Sequence, residues 1–491
     1  MVKSVGSEVK LIARHSSIYG LANVLDRIVS FIMIPVYTRF LTPADYGILE
    51  LIYMTTSVIS LVVGLGIEEA VSRFYFDYKD EKERNKVVST AFLGYGGMSV
   101  AITLLLLPFS GFMAKHILNS ADLASYFIVA LLTLCGDMII PVAFTYFRIK
   151  QKSVAVMVFQ VSKTLTAIGL NIYFVVFAGM GVYGILLASL ISSVIFAVVM
   201  IAYVIRQTGI SSDFKLLWHM IRFGAPLIPS NISGYIVHMS DRYFIKAYAD
   251  LTLTGLYSLG YKFGALINQF VTSPFIQIWI PRRFEFFDRE NSERIYARIF
   301  TYFSALSLFI GLLISVLSKD IVRIATAEPY WSAYKVVPII VLSYIFFSFH
   351  YHFNIGILMK KATKYIAYIN IANAVLNLIL NFILIKRYNI WGAAYATLIC
   401  FIFKAALTYY ISNKFHKVHM EWRRVITLFV TAFIIYFLVI RIEIGSIWVD
   451  MAVKTLAACG YIAALFAIRF FTHDEIQKFK HVIRTRKLDF D

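Results

Sequence analysis

The chain has 491 residues, 59% of them hydrophobic and 15% charged, with a formal net charge of +19. That composition excludes an ordinary soluble globular domain. Cys135, Cys400 and Cys459 all fall inside apolar stretches without metal-ligand spacing, which excludes a disulfide framework.

A helix needs about 20 apolar residues to cross a bilayer. Fourteen such runs follow one another along the chain, at 16–38, 46–69, 88–110, 123–146, 154–177, 183–205, 223–245, 254–279, 299–317, 336–357, 365–385, 391–412, 425–441 and 447–468. The links between them are too short for a separate folded domain. The first run is too long for a signal peptide, lacks a small-residue cleavage site, and contains Asp26-Arg27. Next comes Leu41–Gly47, in which Thr42 suits an N-cap, Pro43 the first helical position and Asp45 a reciprocal capping box. The fourth run holds Asp137 shortly before Pro141; the fifth and twelfth hold Lys163 and Lys404, placed to snorkel or to pair. The seventh holds Asp241-Arg242. The eleventh carries Asn370, Asn373, Asn377 and Asn381 at spacings of three, four and four, an amide ladder that interhelical hydrogen bonding suffices to explain. His350 and His352 do not share a helix face, so they make a poor metal pair, and no metal or cofactor is expected. Thr472 and Glu475 open a basic tail with a capping-box signature.

Loop charges set the orientation, because Lys and Arg collect on the cytoplasmic side. With both termini cytoplasmic, most of the 47 Lys and Arg residues fall inside. The basic excess is thus a topology signal that also attracts anionic lipid headgroups at the cytoplasmic face, and not a mark of nucleic-acid binding.

The chain also repeats at an offset of 208 residues. Asn23 matches Asn231, and Tyr46-Gly47-Ile48-Leu49 matches Thr254-Gly255-Leu256-Tyr257. Val182-Tyr183-Gly184 with Ala188-Ser189-Leu190-Ile191 matches Ile390-Trp391-Gly392 with Ala396-Thr397-Leu398-Ile399. Six helices per half is an even number, so the repeats are parallel, an arrangement that places a substrate site between the halves. The expectation is an all-α membrane protein of 14 transmembrane helices: two parallel six-helix repeats, 1–206 and 207–414, then two further helices within 415–470 and a basic cytoplasmic tail, 471–491.

Arg39-Phe40-Leu41-Thr42-Pro43-Ala44-Asp45-Tyr46-Gly47 resembles the polysaccharide-exporter branch of the multidrug/oligosaccharidyl-lipid/polysaccharide flippase superfamily. So do Asp241-Arg242-Tyr243-Phe244-Ile245, Thr254-Gly255-Leu256-Tyr257-Ser258-Leu259 and Trp279-Ile280-Pro281. The resemblance covers essentially the whole chain. It implies a MATE-like fold and a flippase that carries a polyprenyl-pyrophosphate-linked oligosaccharide to the outer leaflet of the inner (plasma) membrane. It also implies a central cavity, often cationic, lined by helices 1, 2, 7 and 8. Other polysaccharide-biosynthesis machinery is an implied partner.

The residues themselves supply three polar stripes. In the first run Asn23 and Arg27, next to Asp26, share a face with Ser16, Gly20 and Ser30. In the seventh, Asn231, Tyr235, His238 and Arg242, next to Asp241, do the same. In the eighth, Ser258, Lys262, Ala265, Gln269 and Ser273 form the third. Two interpretations are open. The stripes line an aqueous cavity in which Arg27, Arg242 and Lys262 draw in an anionic headgroup, since a guanidinium binds two phosphate oxygens at once. Or they are satisfied ion pairs and packing contacts between helices. Arg242 stands seven residues beyond the counterpart of Arg27, about 10 Å along a helix, so two cavity cations would be staggered. Asp137 is the candidate for a coupling proton, with a structural hydrogen bond as the alternative.

Two rival functions remain. A drug/cation antiporter of the MATE type would favour carboxylates in its cavity, whereas basic residues here match or exceed acidic ones in the first, seventh and eighth runs. A multispanning polymerase or glycosyltransferase needs a substantial external loop or catalytic domain, and no P-loop, HExxH or acid-rich metal cluster is present in the sequence. A transporter is expected, not an enzyme.

Overall fold

The computed structural model describes residues 29, 31–287, 289–473, 475 and 477. These residues are overwhelmingly helical, with no strand among them. They fall into two compact units.

The first unit takes in the described residues up to Ser258 together with Ala325–Tyr330. It holds α1 (Phe31–Phe40), α2 (Pro43–Gly64), α3 (Ile67–Tyr75), α4 (Glu81–Leu106), α5 (Ser110–Leu118), α6 (Ala124–Asp137) and α7 (Ile140–Ile149). After these come α8 (Ser153–Ile172), α9 (Gly181–Thr208), α10 (Phe214–Gly224), α11 (Ile228–Met239), α12 (Asp241–Tyr248) and the first turns of α13 (Leu251–Gly264). The second unit takes in Leu259–Ile324 and the described residues from Trp331 onward. It holds the rest of α13, α14 (Ser273–Glu285), nearly all of α15 (Ser292–Ala325), α16 (Val337–Phe353), α17 (Ile355–Met359), α18 (Lys364–Leu380), α19 (Lys386–Phe415), α20 (Trp422–Val439) and α21 (Ile447–Ala467).

Ten helical stretches among the described residues are long and apolar enough to cross a membrane. One of them, Lys364–Phe415, joins α18 to α19 and is kinked at Asn389, so two of the predicted runs lie within it. The seventh and eighth runs are helical but broken. The former is divided at Pro226, Pro229 and Ser240, where proline removes a backbone donor. The latter is interrupted by a π-helical turn at Asn268–Thr272. The first run lies largely outside the described residues, and α1 is its described end.

The 208-residue repeat is written into the backbone. Thr42 caps α2, its Oγ1 accepting the Asp45 N–H at 3.2 Å while Asp45 accepts the Thr42 N–H at 3.0 Å. At the equivalent position Asp250 caps α13, its Oδ1 accepting the Leu253 N–H at 2.7 Å. α8 ends in a π-turn at Tyr173–Phe177, and α18 ends in one at Asn381–Ile385, the same register in the second repeat. The chain then reverses through left-handed φ at Gly181 (+54°) and at its counterpart Asn389 (+49°). Glycine adopts a positive φ at no steric cost, whereas Asn389, with ψ −128°, lies outside the left-handed helical well and marks a strained kink. Two helices of the repeat break at one shared position by different means. α2 stops at Leu65-Gly66, both left-handed (φ 46° and 61°). Their counterparts are Ser273-Pro274, directly after the π-turn of the eighth run.

Helices already in lipid gain little from further burial of apolar surface, so close packing and side-chain hydrogen bonds hold them together. In the first unit Val63, Ile67, Val71, Val88, Met138 and Phe147 cluster around the α2–α3 break. Leu49, Leu51, Phe127, Ala130 and Ile185 cluster near the α1–α2 turn. Close approach is visible at Gly136, where a Cβ would lie 2.5 Å from Ser193 Oγ. The second unit is built on aromatic contacts. Phe300 packs on Phe349 and Phe353 with ring centroids 4.8 Å away, and Trp279 stacks on His352 at 4.6 Å. The two helices beyond the repeat are tied to it by charge. Lys454 of α21 meets Asp320 of α15 at 2.7 Å in a buried pair, and Lys319 pairs with Glu443.

The start of the tail is clamped as well. Arg424 donates through both terminal nitrogens to Glu475, at 3.1 and 3.0 Å. Glu475 in turn accepts the Thr472 N–H at 2.8 Å, and Thr472 Oγ1 accepts the Glu475 N–H at 3.4 Å, the reciprocal box. Burial alone would raise the Glu475 pKa; hydrogen bonds from Tyr302, the Thr472 N–H and Arg424 outweigh it and hold the carboxyl below its ordinary value. A carboxyl lowered in this way contributes stability that is complete above its ordinary pKa and is lost as pH falls through the lowered one. A spin label on Gln477→Cys is therefore expected to be immobile at pH 7 and to loosen only well below the ordinary carboxyl value of 4.5. Equal mobility at both pH values would show that the clamp does not hold the tail. Leu65 offers a second test, because a left-handed non-glycine residue costs about 1–2 kcal/mol. Leu65→Gly should raise the melting temperature in detergent or leave it unchanged, whereas Leu65→Val should lower it.

Candidate functional site

α12 begins with Asp241, whose negative charge suits a helix N-terminus. The next residue, Arg242, turns its guanidinium back along the helix. Its Nη1 donates to Asp241 Oδ1 at 2.8 Å and to the His238 carbonyl at 2.6 Å. The Asp241 carboxylate also accepts the Arg242 backbone N–H at 2.9 Å. α13 supplies the third member. The Tyr257 hydroxyl donates to Asp241 Oδ2 at 2.6 Å, and the Tyr257 ring lies under the guanidinium, 5.4 Å from its carbon. Asp241 and Arg242 retain only 1% and 2% of their surface exposed. The ion pair is thus enclosed, with a hydroxyl on the second carboxylate oxygen and a π-face against the cation.

α2 closes the other side of the seventh run. Thr55 Oγ1 lies 2.8 Å from the Tyr243 hydroxyl, and the Tyr235 hydroxyl donates to the Met54 carbonyl at 3.0 Å. Beyond the break, the Lys246 ammonium donates to the His116 carbonyl at 2.8 Å and to Asn119 Oδ1 at 2.5 Å. Glu50, 8% exposed on α2, is a carboxylate of this unit that the polar stripes did not include.

The other sequence candidates are distributed as follows. Asn23, Asp26 and Arg27 lie outside the described residues, and with them the stagger between Arg27 and Arg242. Asn231 is exposed and His238 half-buried, both on α11 of the first unit. Lys262 is exposed and Gln269 half-buried, both in the second unit. The structure therefore brings together Asp241, Arg242 and the His238 backbone, and adds Tyr257, which sequence spacing did not single out. No periodicity rule points to Tyr257, because it reaches Asp241 across the turn between two helices.

Asp137 accepts two bonds on one oxygen, from Lys163 Nζ at 2.6 Å and from Ser193 Oγ at 2.8 Å. Lys163 thus pairs rather than snorkels. Lys404 points its ammonium over the Phe347 ring at 5.0 Å. Of the amide ladder, Asn373, Asn377 and Asn381 are buried; Asn381 donates to Asn377 at 3.0 Å, and Asn377 points at Cys400 Sγ of α19, 3.7 Å away. His352 Nε2 sits 2.9 Å from the Tyr296 carbonyl, and no group of residues that could hold a metal ion is found among the described residues.

Residues 12–287 match the model of a family described as polysaccharide biosynthesis protein. The chain is 25% identical over 263 residues to Lsg locus putative protein 1 of Haemophilus influenzae. That alignment covers 52% of this chain and 62% of the relative, so less than two thirds of the relative's length is spanned. Among solved structures, one titled Lipid II flippase MurJ, inward closed conformation, superposes with a TM-score of 0.75 at 14% identity, over 93% of this chain and 99% of that one. A multidrug resistance MATE family transporter of the MOP superfamily, in an inward-facing conformation, superposes at 0.63 with 14% identity, over 82% and 96%. At such identities the likeness concerns the fold, which alone does not fix a function.

The enclosed pair makes a quantitative prediction. Arg242→Ala leaves a carboxylate without its cation, and removing one partner of a buried pair costs about 3–5 kcal/mol. Tyr257→Phe removes one hydrogen bond to a charged group, about 1.5–3 kcal/mol. Thermal unfolding in detergent is expected to rank the variants in that order. An Arg242→Ala protein as stable as the parent would mean that Asp241 draws its countercharge from elsewhere.

Proposed function

Because this chain belongs to the family of polysaccharide biosynthesis proteins, we propose that it is a flippase for a polyprenyl-pyrophosphate-linked oligosaccharide. It carries this lipid from the cytoplasmic to the outer leaflet of the inner membrane, for assembly of a cell-surface polysaccharide. The family match over residues 12–287 is the observation that carries this reading. The basic character of the first, seventh and eighth helical runs supports an anionic cargo, and the fold likeness to a lipid flippase is compatible with it.

No bond is made or broken in this reaction. The work is alternating access, which parallel repeats allow by moving about a site between them. Arg27 and Arg242 receive the pyrophosphate, with Asn23, Asn231 and His238 offering hydrogen bonds to phosphate or the first sugars; Lys262 and Gln269 of the second unit are candidates for the same anionic cargo. Asp241 holds Arg242 oriented until the substrate arrives, and Asp26, next to Arg27 in the sequence, is proposed for the same role. The polyprenyl tail stays in lipid, and anionic headgroups meet the basic cytoplasmic loops. Asp137, on one oxygen of which Lys163 and Ser193 converge, is the site proposed for a coupling proton.

Deleting the gene and analysing lipid extracts by mass spectrometry tests the substrate class. A polyprenyl-pyrophosphate glycan is expected to accumulate, retained in the inner leaflet. Altered drug tolerance without any glycolipid build-up would instead favour a drug antiporter. Asp137→Asn at normal protein levels should uncouple transport from the proton gradient; unchanged dependence on that gradient would remove Asp137 from the mechanism.

A further inference from the structure

Gly47 and Gly255 are repeat equivalents, one turn into α2 and α13. Each lies against the other's helix with no side chain between them. A Cβ on Gly47 would stand 2.2 Å from the Leu251 carbonyl oxygen and 3.1 Å from the Gly255 nitrogen. A Cβ on Gly255 would stand 1.9 Å from the Pro43 carbonyl oxygen and 3.0 Å from the Gly47 nitrogen. Pro43 and Leu251 are themselves equivalents, so the contact maps onto itself when the repeats are exchanged. The hydrogen that replaces each Cβ points at the facing carbonyl, the geometry of a weak C–H···O hydrogen bond.

A contact that maps onto itself lies on the axis relating the two repeats. Any symmetric opening of this end must part it. The contact is also built to part, since it interlocks no rotamers and strands no buried polar side chain. Its surroundings fix the helix ends that meet there. Thr42 and Asp250 cap them, the Tyr330 hydroxyl donates to the Leu41 carbonyl at 3.0 Å, and Tyr46 packs edge-on against Tyr330 at 6.0 Å.

We propose that Gly47 and Gly255 form the closure of the transport pathway at the end bearing the α1–α2 and α12–α13 turns, made in this conformation and broken when that end opens. The inference rests on the alternating-access reading above. With cytoplasmic termini this end faces outward. Any residue larger than glycine meets backbone, not a flexible side chain, and cannot be absorbed without separating the helices.

The test uses the full chain with Cys135, Cys400 and Cys459 replaced by Ser. A single reporter, Ser258→Cys, sits one turn below Gly255 and is fully buried in this conformation. Labelling of intact cells with a membrane-impermeant maleimide is expected to rise about tenfold on adding Gly255→Ala or Gly47→Ala, with glycolipid build-up as transport falls. A second arm leaves both glycines in place. Ala44→Cys and Thr252→Cys, another equivalent pair, are bridged by a short bis-maleimide, and transport is expected to stop. Unchanged reporter labelling in both alanine variants, or transport by the cross-linked protein, would overturn the proposal. The readouts separate the two ideas. A reporter that opens without glycolipid build-up would sink the substrate reading and leave the closure standing; build-up on gene deletion with an unmoved reporter would do the reverse.

Discussion

A charge removed from water must find a countercharge or a cavity, and in this chain that rule organises the interior. Asp241 and Arg242 meet it by enclosing each other, with Tyr257 serving both: its hydroxyl takes the second carboxylate oxygen and its ring covers the guanidinium. Asp137 and Lys163 meet it across α6 and α8, and Asp320 and Lys454 across α15 and α21. Lys404 rests on an aromatic face. A buried pair is seldom more stabilising than an apolar pair of the same size. Its use must be sought in what it positions. In the proposed cycle a phosphate reaching Arg242 has to displace Asp241, and Tyr257 would keep a hydrogen bond on that carboxylate as the exchange occurs.

The repeat explains where the helices bend. A π-turn widens the helix by one residue and shifts the register of everything after it. The π-turns at Tyr173–Phe177 and Asn381–Ile385 stand in the same register, and each is followed by a positive φ at the equivalent residues Gly181 and Asn389. The second helix of each repeat departs from that economy. α2 breaks through two left-handed residues, whereas the eighth run stretches through a π-turn into Pro274. Equivalent positions thus share a break made by different backbone geometry.

Periodicity and offset make most of the architecture legible in the amino-acid sequence. Apolar runs mark helices because the bilayer demands length, and the Thr42 box is legible because capping is local. The Asn381–Asn377 bond is legible for the same reason, as it joins residues four apart on one helix. The site is legible only in part. Asp241-Arg242 announces itself as a charge in an apolar run, but whether it faces a cavity or a partner turns on Tyr257, which lies sixteen residues away across a turn. Glu50 is as visible a charge in its run, but no stripe spacing links it to the other polar residues, and only the fold shows that it is buried. Lys163 can be placed in a helix but not matched to Asp137, since that contact joins helices 26 residues apart in sequence. Local rules reach along one helix; they do not say which helices touch.

α2 is held by backbone contact at both of its ends. At one lies the Gly47–Gly255 crossing. At the other a Cβ on Gly224 would stand 1.9 Å from the Leu65 carbonyl oxygen and 2.8 Å from that of Gly66. From Gly47 to Gly66 is about 28 Å at 1.5 Å per residue, close to the thickness of a hydrocarbon core. Gly224, Leu251 and Gly255 all fall in the 207–414 segment expected from the sequence as the second repeat, so in the proposed cycle α2 meets that segment near both of its ends. A carrier that opened both contacts at once would be a pore. One that alternates must hold one contact while the other parts, and a rigid helix of this length converts a small tilt at the held end into a large gap at the free one. The left-handed break at Leu65-Gly66, directly beside the Gly224 contact, is where such a tilt can be taken up without bending α2 itself.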